Sequence, residues 1–310
     1  MKNPLIKYHI NKSIFGLIFF LLFSNYVFAQ DLEPRFLSPA PVGMNFVIFG
    51  YAYSVGNVLL GHSIPLEDTE AIMHGISPAF ARSINVFGLS GRISAALPLA
   101  TATWDADLNG IDTSTTRTGL GDPVVAFAVN FIGVPALKGK EFVAYKQNTT
   151  LGASIKIRIP IGQYNNEKFF NLSTGRWEGS LTLGLSQKIN RFFLEGFLKA
   201  QLFLKNNDFY GGKVVAQDPL FSLQIHGIYV FSPGLWAALS FGQTYGGSTT
   251  VDGVLTVEST QKNNRWGVTL SIPIASQLAI KLAAASGIST RFGANFNTII
   301  AALQYRWGGL

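Results

Sequence analysis

The chain has 310 residues, enough for one large domain or two ordinary ones. It is 48% hydrophobic and only 13% charged, about half the charge of an average soluble domain. It has no cysteine, and its net charge of +7 is not gathered into a Lys/Arg run; this excludes a disulfide scaffold or thiolate metal site and leaves nucleic-acid binding without support.

In chain order, the first element reads as a secretory signal over residues 1–29. Lys2, Lys7 and Lys12 form a positive n-region, IFGLIFFLLF (14–23) is the apolar core, and Val27 and Ala29 precede a cut before Gln30. The core is too short to span a bilayer, which takes about 20 residues. Its removal lowers the charge from +7 to +4. No later stretch reaches 18 apolar residues; the longest, 124–137, is interrupted by Asn130, Gly133 and Pro135. A hydrophobic chain without a spanning helix must place its apolar surface in some other way.

Residues 30–310 answer by alternating with period two, as strands with two unlike faces do. In RWEGSLTLGLSQ, Trp177, Gly179, Leu181, Leu183 and Leu185 share one face, while Glu178, Ser180, Thr182, Gly184 and Ser186 share the other. RFFLEGFLKAQLFLK repeats the scheme after a short KIN link, which predicts a tight hairpin. About twelve such segments are predicted, near 43–54, 70–83, 92–102, 120–132, 149–160, 176–187, 191–204, 218–231, 235–245, 264–273, 277–285 and 294–307. Many reach the roughly 9–11 residues that a tilted transmembrane strand needs.

The links alternate as well. NVFGLSG, KIN, SPG and IASQ follow even-numbered segments, whereas DADLNGIDTSTTRT, GQYNNEKFFNLSTG, KNNDFYGGKVVAQ and GGSTTVDGVLTVESTQKNN follow odd-numbered ones. Short periplasmic turns opposite long outer loops are the habit of outer-membrane barrels. An even strand count returns both termini to the periplasm. KGKEFVAYKQ (138–147) is long where a short link is expected, and predicts a short amphipathic helix beneath the barrel. Trp177, Tyr245, Trp266, Tyr305 and Trp307 fall near segment ends, where an interfacial girdle would lie. The expected fold is all-β: one transmembrane, antiparallel, up-and-down barrel of about 12 strands in a bacterial outer membrane. The weighed alternative is a secreted sandwich or lipocalin-like barrel, whose strands are shorter and whose apolar faces turn inward.

With the leucine faces outward, the lumen receives Lys156, Arg158, Glu178, Glu195, Lys199, Gln201, Gln224, His226, Arg265, Lys281, Gln304 and Arg306. Phe193, Phe197 and Phe203 share the face of Glu195 and Lys199. Two readings stay open for this set: a self-neutralising charge network that stiffens the barrel, or a solute path with cationic excess suited to anions and aromatic rings. GLGDP (119–123) lacks both the third glycine of a dinucleotide turn and the GK[ST] of a P-loop, so it is not read as a nucleotide site. A barrel hydrolase would need a histidine within reach of its serine. His74 and Ser77 are three apart and point to opposite sides of a strand, His62 and Ser63 are a loop pair, and His226 reads as a polar lumen residue. No catalytic residue, metal site or cofactor is expected.

GLGDPVVAFAVNFIGVPAL, with YAYSVGNVLL before it and EFVAYKQ after it, resembles the outer-membrane transporter family linked to the meta-pathway of phenol degradation. RSINVFGLSGRI and the aromatic end ALQYRWGGL also fit that family's pattern, and the likeness is most specific between 45 and 160. The resemblance implies passage of small compounds, often hydrophobic or aromatic, and brings no binding residues with it. The expected function is therefore passive, non-catalytic passage of small solutes through the lumen. A lipid-modifying outer-membrane hydrolase and a structural barrel with a blocked lumen are the alternatives. Bilayer lipid, lipopolysaccharide, the outer-membrane insertion machinery and a small-molecule solute are the expected partners.

Overall fold

The computed structural model describes residues 32–60 and 66–309. The predicted signal segment, 1–29, and the His62–Ser63 pair lie outside the described residues. The chain forms a closed antiparallel barrel of twelve staves. β1 (Met44–Leu59) and β2 (Glu67–Val86) begin it. β3 (Leu89–Ala96) and β4 (Leu99–Asp107) form one stave interrupted at Leu97–Pro98, and β5 (Asp112–Leu120) and β6 (Val124–Pro135) form the next, interrupted at 121–123. β7 (Thr149–Arg158), β8 (Glu178–Ile189) and β9 (Phe192–Phe203) follow. β12 (Leu220–Ser232), β13 (Leu235–Gly246), β16 (Gln261–Pro273), β17 (Leu278–Ser289) and β18 (Gly293–Gly308) complete the wall. Closure comes from β1 pairing with β18 in continuous register, Met44↔Gly308 through Leu59↔Gly293. The wall thus closes on itself, as a strand wall in hydrocarbon requires.

The alternation read from the sequence is physically realised. On β8, Leu181, Leu183 and Leu185 are exposed on the outer wall, while Glu178, Ser180 and Ser186 are buried inside. On β6, Val125, Phe127 and Phe131 face out, and Ala126, Ala128 and Asn130 share the inner face. The large apolar side chains thus cover the outside of the molecule and the polar ones its interior, the inverse of a water-soluble protein.

Short turns join one end of the barrel. Phe87–Gly88 links β2 to β3 with both residues at positive φ (51° and 89°), the geometry that matches the twist of paired strands. Asn190–Arg191 links β8 to β9, with Asn190 at φ 57°. The predicted amphipathic helix is present as α1 (Gly139–Ala144), whose Gly139 N–H donates to Gly309 O at the same end.

The long-loop end differs from the sequence reading. Residues 105–118, expected as loop, are mostly the β4–β5 hairpin, which runs on past the wall. The predicted loops 205–217 and 246–264 contain β10 (Asn206–Phe209), β11 (Lys213–Gln217), β14 (Thr249–Val251) and β15 (Val254–Leu255), which pair with one another as a small outer sheet. Polar, glycine-rich composition hid this pairing, because its partners are long-range. The link 159–177 stays irregular and folds back on the wall. Phe170 stacks on Trp104 at 5.1 Å, joining Ala71, Ala102 and Phe296 in an apolar cluster inside one side of the mouth.

GLGDP anchors that link. Pro98 and Pro123 offer no N–H, and the ladder breaks beside them. Asp122 is 1% exposed, and its carboxylate accepts from Gly162 N (3.1 Å), Thr174 N (2.8 Å) and Thr174 Oγ1 (3.0 Å). The motif is thus a stave break that ties down the folded-in loop.

Candidate functional site

Register sorts the inward side chains into layers. Toward the long-loop end, Arg158, Glu178 and Phe203 lie in one row, Lys156, Ser180 and Gln201 in the next, and Lys199 and Ser222 in the next. Deeper come Gly152, Gly184, Phe197, Gln224, Gly242 and Arg265, then Ser186, Glu195, His226, Ser240 and Gly267. The glycines make shallow seats in the wall, and the chain itself fills them.

Residues 32–38 run inside the barrel as an arm. Leu37 is 1% exposed, and its Cδ atoms lie where side chains on Gly152 and Gly184 would stand, 2.7 and 3.1 Å from their ideal Cβ positions. Leu32 fits over Gly242 and Gly267 in the same way, at 3.0 and 2.9 Å. Polar contacts then fix the arm. Arg35 N donates to Glu195 Oε2 (2.7 Å), Asn130 Nδ2 donates to Leu37 O (3.3 Å), and Lys156 Nζ pairs with Glu33 Oε1 (2.6 Å). The Arg35 guanidinium lies 4.0 Å over the Phe193 ring, and Phe36 meets Phe197 edge-on at 5.8 Å beneath Arg92. Two of the three lumen phenylalanines singled out for solute stacking are thus engaged by the protein's own arm. The third, Phe203, lies under Arg176 at 4.6 Å.

Above the arm a cavity of about 270 Å³ opens toward the long loops. It gathers six of the predicted lumen residues: Lys156, Arg158, Glu178, Lys199, Gln201 and Gln224, with Ser180, Ser222, Val124 and Leu220 beside them. Glu178 forms ion pairs with Arg158 (Nε at 2.9 Å) and, more loosely, Arg176 (Nε at 3.8 Å), and Gln201 Nε2 donates to its Oε2 at 3.3 Å. The other predicted residues lie elsewhere on the inner face. Glu195 is sealed between Ser186 Oγ (2.8 Å) and the arm. His226 is buried against Phe197, its Nδ1 2.8 Å from Ser240 Oγ. The Arg265 guanidinium donates to Phe296 O at 2.9 Å. Lys281 lies 5.9 Å over Trp236, and Gln304 sits opposite Ile48 and Ala279. Arg306 donates to Ser276 O at 2.8 Å at the short-turn rim.

Neither described His–Ser geometry fits a nucleophile with its base. His226 and Ser240 are 0% and 2% exposed, and the imidazole Nε2 has no partner to orient it, whereas a triad needs all three groups and an open path. His74 lies on the outer wall against Tyr51 and Tyr53, across the strand from inward-facing Ser77. Among the described residues no group of three His, Asp or Glu could hold a metal ion.

Sequence reasoning missed Arg92, Asp122 and the whole arm. Arg92 alternates with Ile93 in GRISAA, so its inward direction was readable. The inward glycines at 152, 184, 242 and 267 were a weaker signal that something must pack on them.

The barrel resembles solved structures. An outer membrane channel from Pseudomonas putida F1 matches with a TM-score of 0.75 and 18% identity, covering 89% of this chain and 100% of that one. The β-domain of the Bordetella autotransporter BrkA matches at 0.50 and 11% identity over 86% and 100% of the two chains. The transport unit of the autotransporter AIDA-I from Escherichia coli matches at 0.50 and 13%, over 97% and 100%. At these identities the likeness speaks to the fold. Among curated proteins no match to the chain is found. A family model matches residues 80–299, and on that span the chain belongs to the outer-membrane barrel family described as "Putative MetA-pathway of phenol degradation".

Proposed function

We propose that the chain is an outer-membrane channel that passes small solutes passively through its lumen, hydrophobic and aromatic ones included, with no catalytic step and no cofactor. The observation that carries the reading is the polar chamber set in a closed, apolar-walled barrel and open toward the long loops. The family description, which refers to phenol degradation, supports aromatic solutes. The Pseudomonas putida relative is itself described as an outer membrane channel. With short turns periplasmic, as in barrels of this kind, both termini are periplasmic and the chamber faces outward. Bilayer lipid and lipopolysaccharide would surround the leucine wall, and the outer-membrane insertion machinery would place it there. Residues 32–38 occupy the middle of the lumen, so solute passage requires the arm to leave its seats. Reconstitution in liposomes, with phenolic and aliphatic solutes compared, tests the reading. Solute-dependent swelling is expected, and zero permeability to every solute would overturn it.

A further inference from the structure

The outer chamber is unevenly charged. Lys156, Arg158 and Lys199 line it, with Arg176 just behind Glu178. The carboxylates that pair with these cations are Glu33, on Lys156, and Glu178, shared by Arg158 and Arg176. Lys199 makes no ion pair among the described residues, and the chamber keeps a positive excess. A walled cleft with charge of one sign concentrates the opposite ion.

Two features narrow the ligand further. Glu33 of the arm sets a carboxylate on the Lys156 ammonium at 2.6 Å, the kind of contact an organic carboxylate would make on Lys199. Val124 and Leu220 supply apolar lining, and the cavity of about 270 Å³ exceeds the roughly 150 Å³ that holds a benzene ring. We propose that the chamber is a binding site for a small organic carboxylate of single-ring size, its anionic group on Lys199 beside Gln201 and Ser222 and its apolar part against Leu220 and Val124. This deepens the channel reading and rests on it for the route, though binding itself can be read without transport.

Isothermal titration calorimetry of the full-length protein in detergent micelles, with sodium benzoate and its uncharged counterpart benzamide, tests the site. Benzoate is expected to bind more tightly than benzamide. Lys199→Gln should weaken benzoate about tenfold or more, since a charge-assisted contact is lost, and leave benzamide unchanged. Lys199→Arg should restore most of the affinity. Heat-modifiable migration on a gel confirms that each variant is folded. Equal affinity for the two probes, no benzoate binding, or an unchanged affinity in a folded Lys199→Gln variant would overturn the proposal. Liposome flux separates the two readings: permeability without Lys199-dependent binding removes the site and keeps the channel, and binding without permeability does the reverse.

Discussion

Truncating Leu37 to alanine probes the arm at its most buried point. The side chain is 1% exposed and fills the hollow over Gly152 and Gly184. Leu→Ala deletes three carbons, and at about 0.8 kcal/mol per buried CH₂ the transfer loss is roughly 2–3 kcal/mol. If the arm undocks without unfolding the wall, this loss falls on the docking equilibrium rather than on the barrel. At about 1.4 kcal/mol per factor of ten, the undocked population should rise roughly 30- to 150-fold. Single-channel recording in planar bilayers reads that population as more frequent and longer visits to the higher conductance level. Amide exchange at residues 33–38 reads it independently, and deletion of 32–38 should hold the channel in the higher level. The barrel's heat-modifiable transition should stay where it is. If both the truncation and the deletion leave conductance and exchange as in the parent protein, the arm does not obstruct the path and the reasoning fails.

Overfilling a seat should act like emptying it. Gly184→Val places its Cβ 2.4 Å from the Phe197 ring and 3.1 Å from Leu37; it should unseat the arm at a cost of about 1–3 kcal/mol, seen as the same gain in conductance. Asp122→Ala removes an acceptor of three hydrogen bonds that tie the 159–177 link. Limited proteolysis within that link should accelerate by tenfold or more, since bonds to a charged group contribute about 1.5–3 kcal/mol each; unchanged cleavage would contradict the anchoring. Leu183 is exposed at the centre of the outer β8 wall, so Leu183→Arg should destabilise the barrel in lipid by about 2–4 kcal/mol, measured by urea unfolding in vesicles, and should have little effect if that face did not meet hydrocarbon.

Most of the wall was legible because its code is local. Alternation at spacing two assigns a face to each residue, as with Leu181, Leu183 and Leu185 against Glu178, Ser180 and Ser186. Turn residues such as Asn190 mark where a stave reverses. The outer hairpin and small outer sheet were misread as loops because polar and glycine-rich strands lack that alternation, and β10, β11, β14 and β15 are specified by one another. The candidate lumen residues were nameable from the same parity, whereas their division into an outer chamber, an arm-contacting layer and a short-turn rim was not.

The sequence by itself determined a wall of about twelve alternating strands and a polar interior enclosed by an apolar exterior. Each of these follows from composition and near-neighbour periodicity. Only the tertiary structure decided what fills that interior. Arg35 meets Glu195 across 160 positions, Glu33 meets Lys156 across 123, and Leu37 meets glycines on two staves. Such contacts leave no periodic trace, because an arm in a lumen packs against side chains brought together by closure of the barrel. The same closure leaves Lys199 without a carboxylate partner among the described residues, in a chamber that its neighbours in sequence do not define.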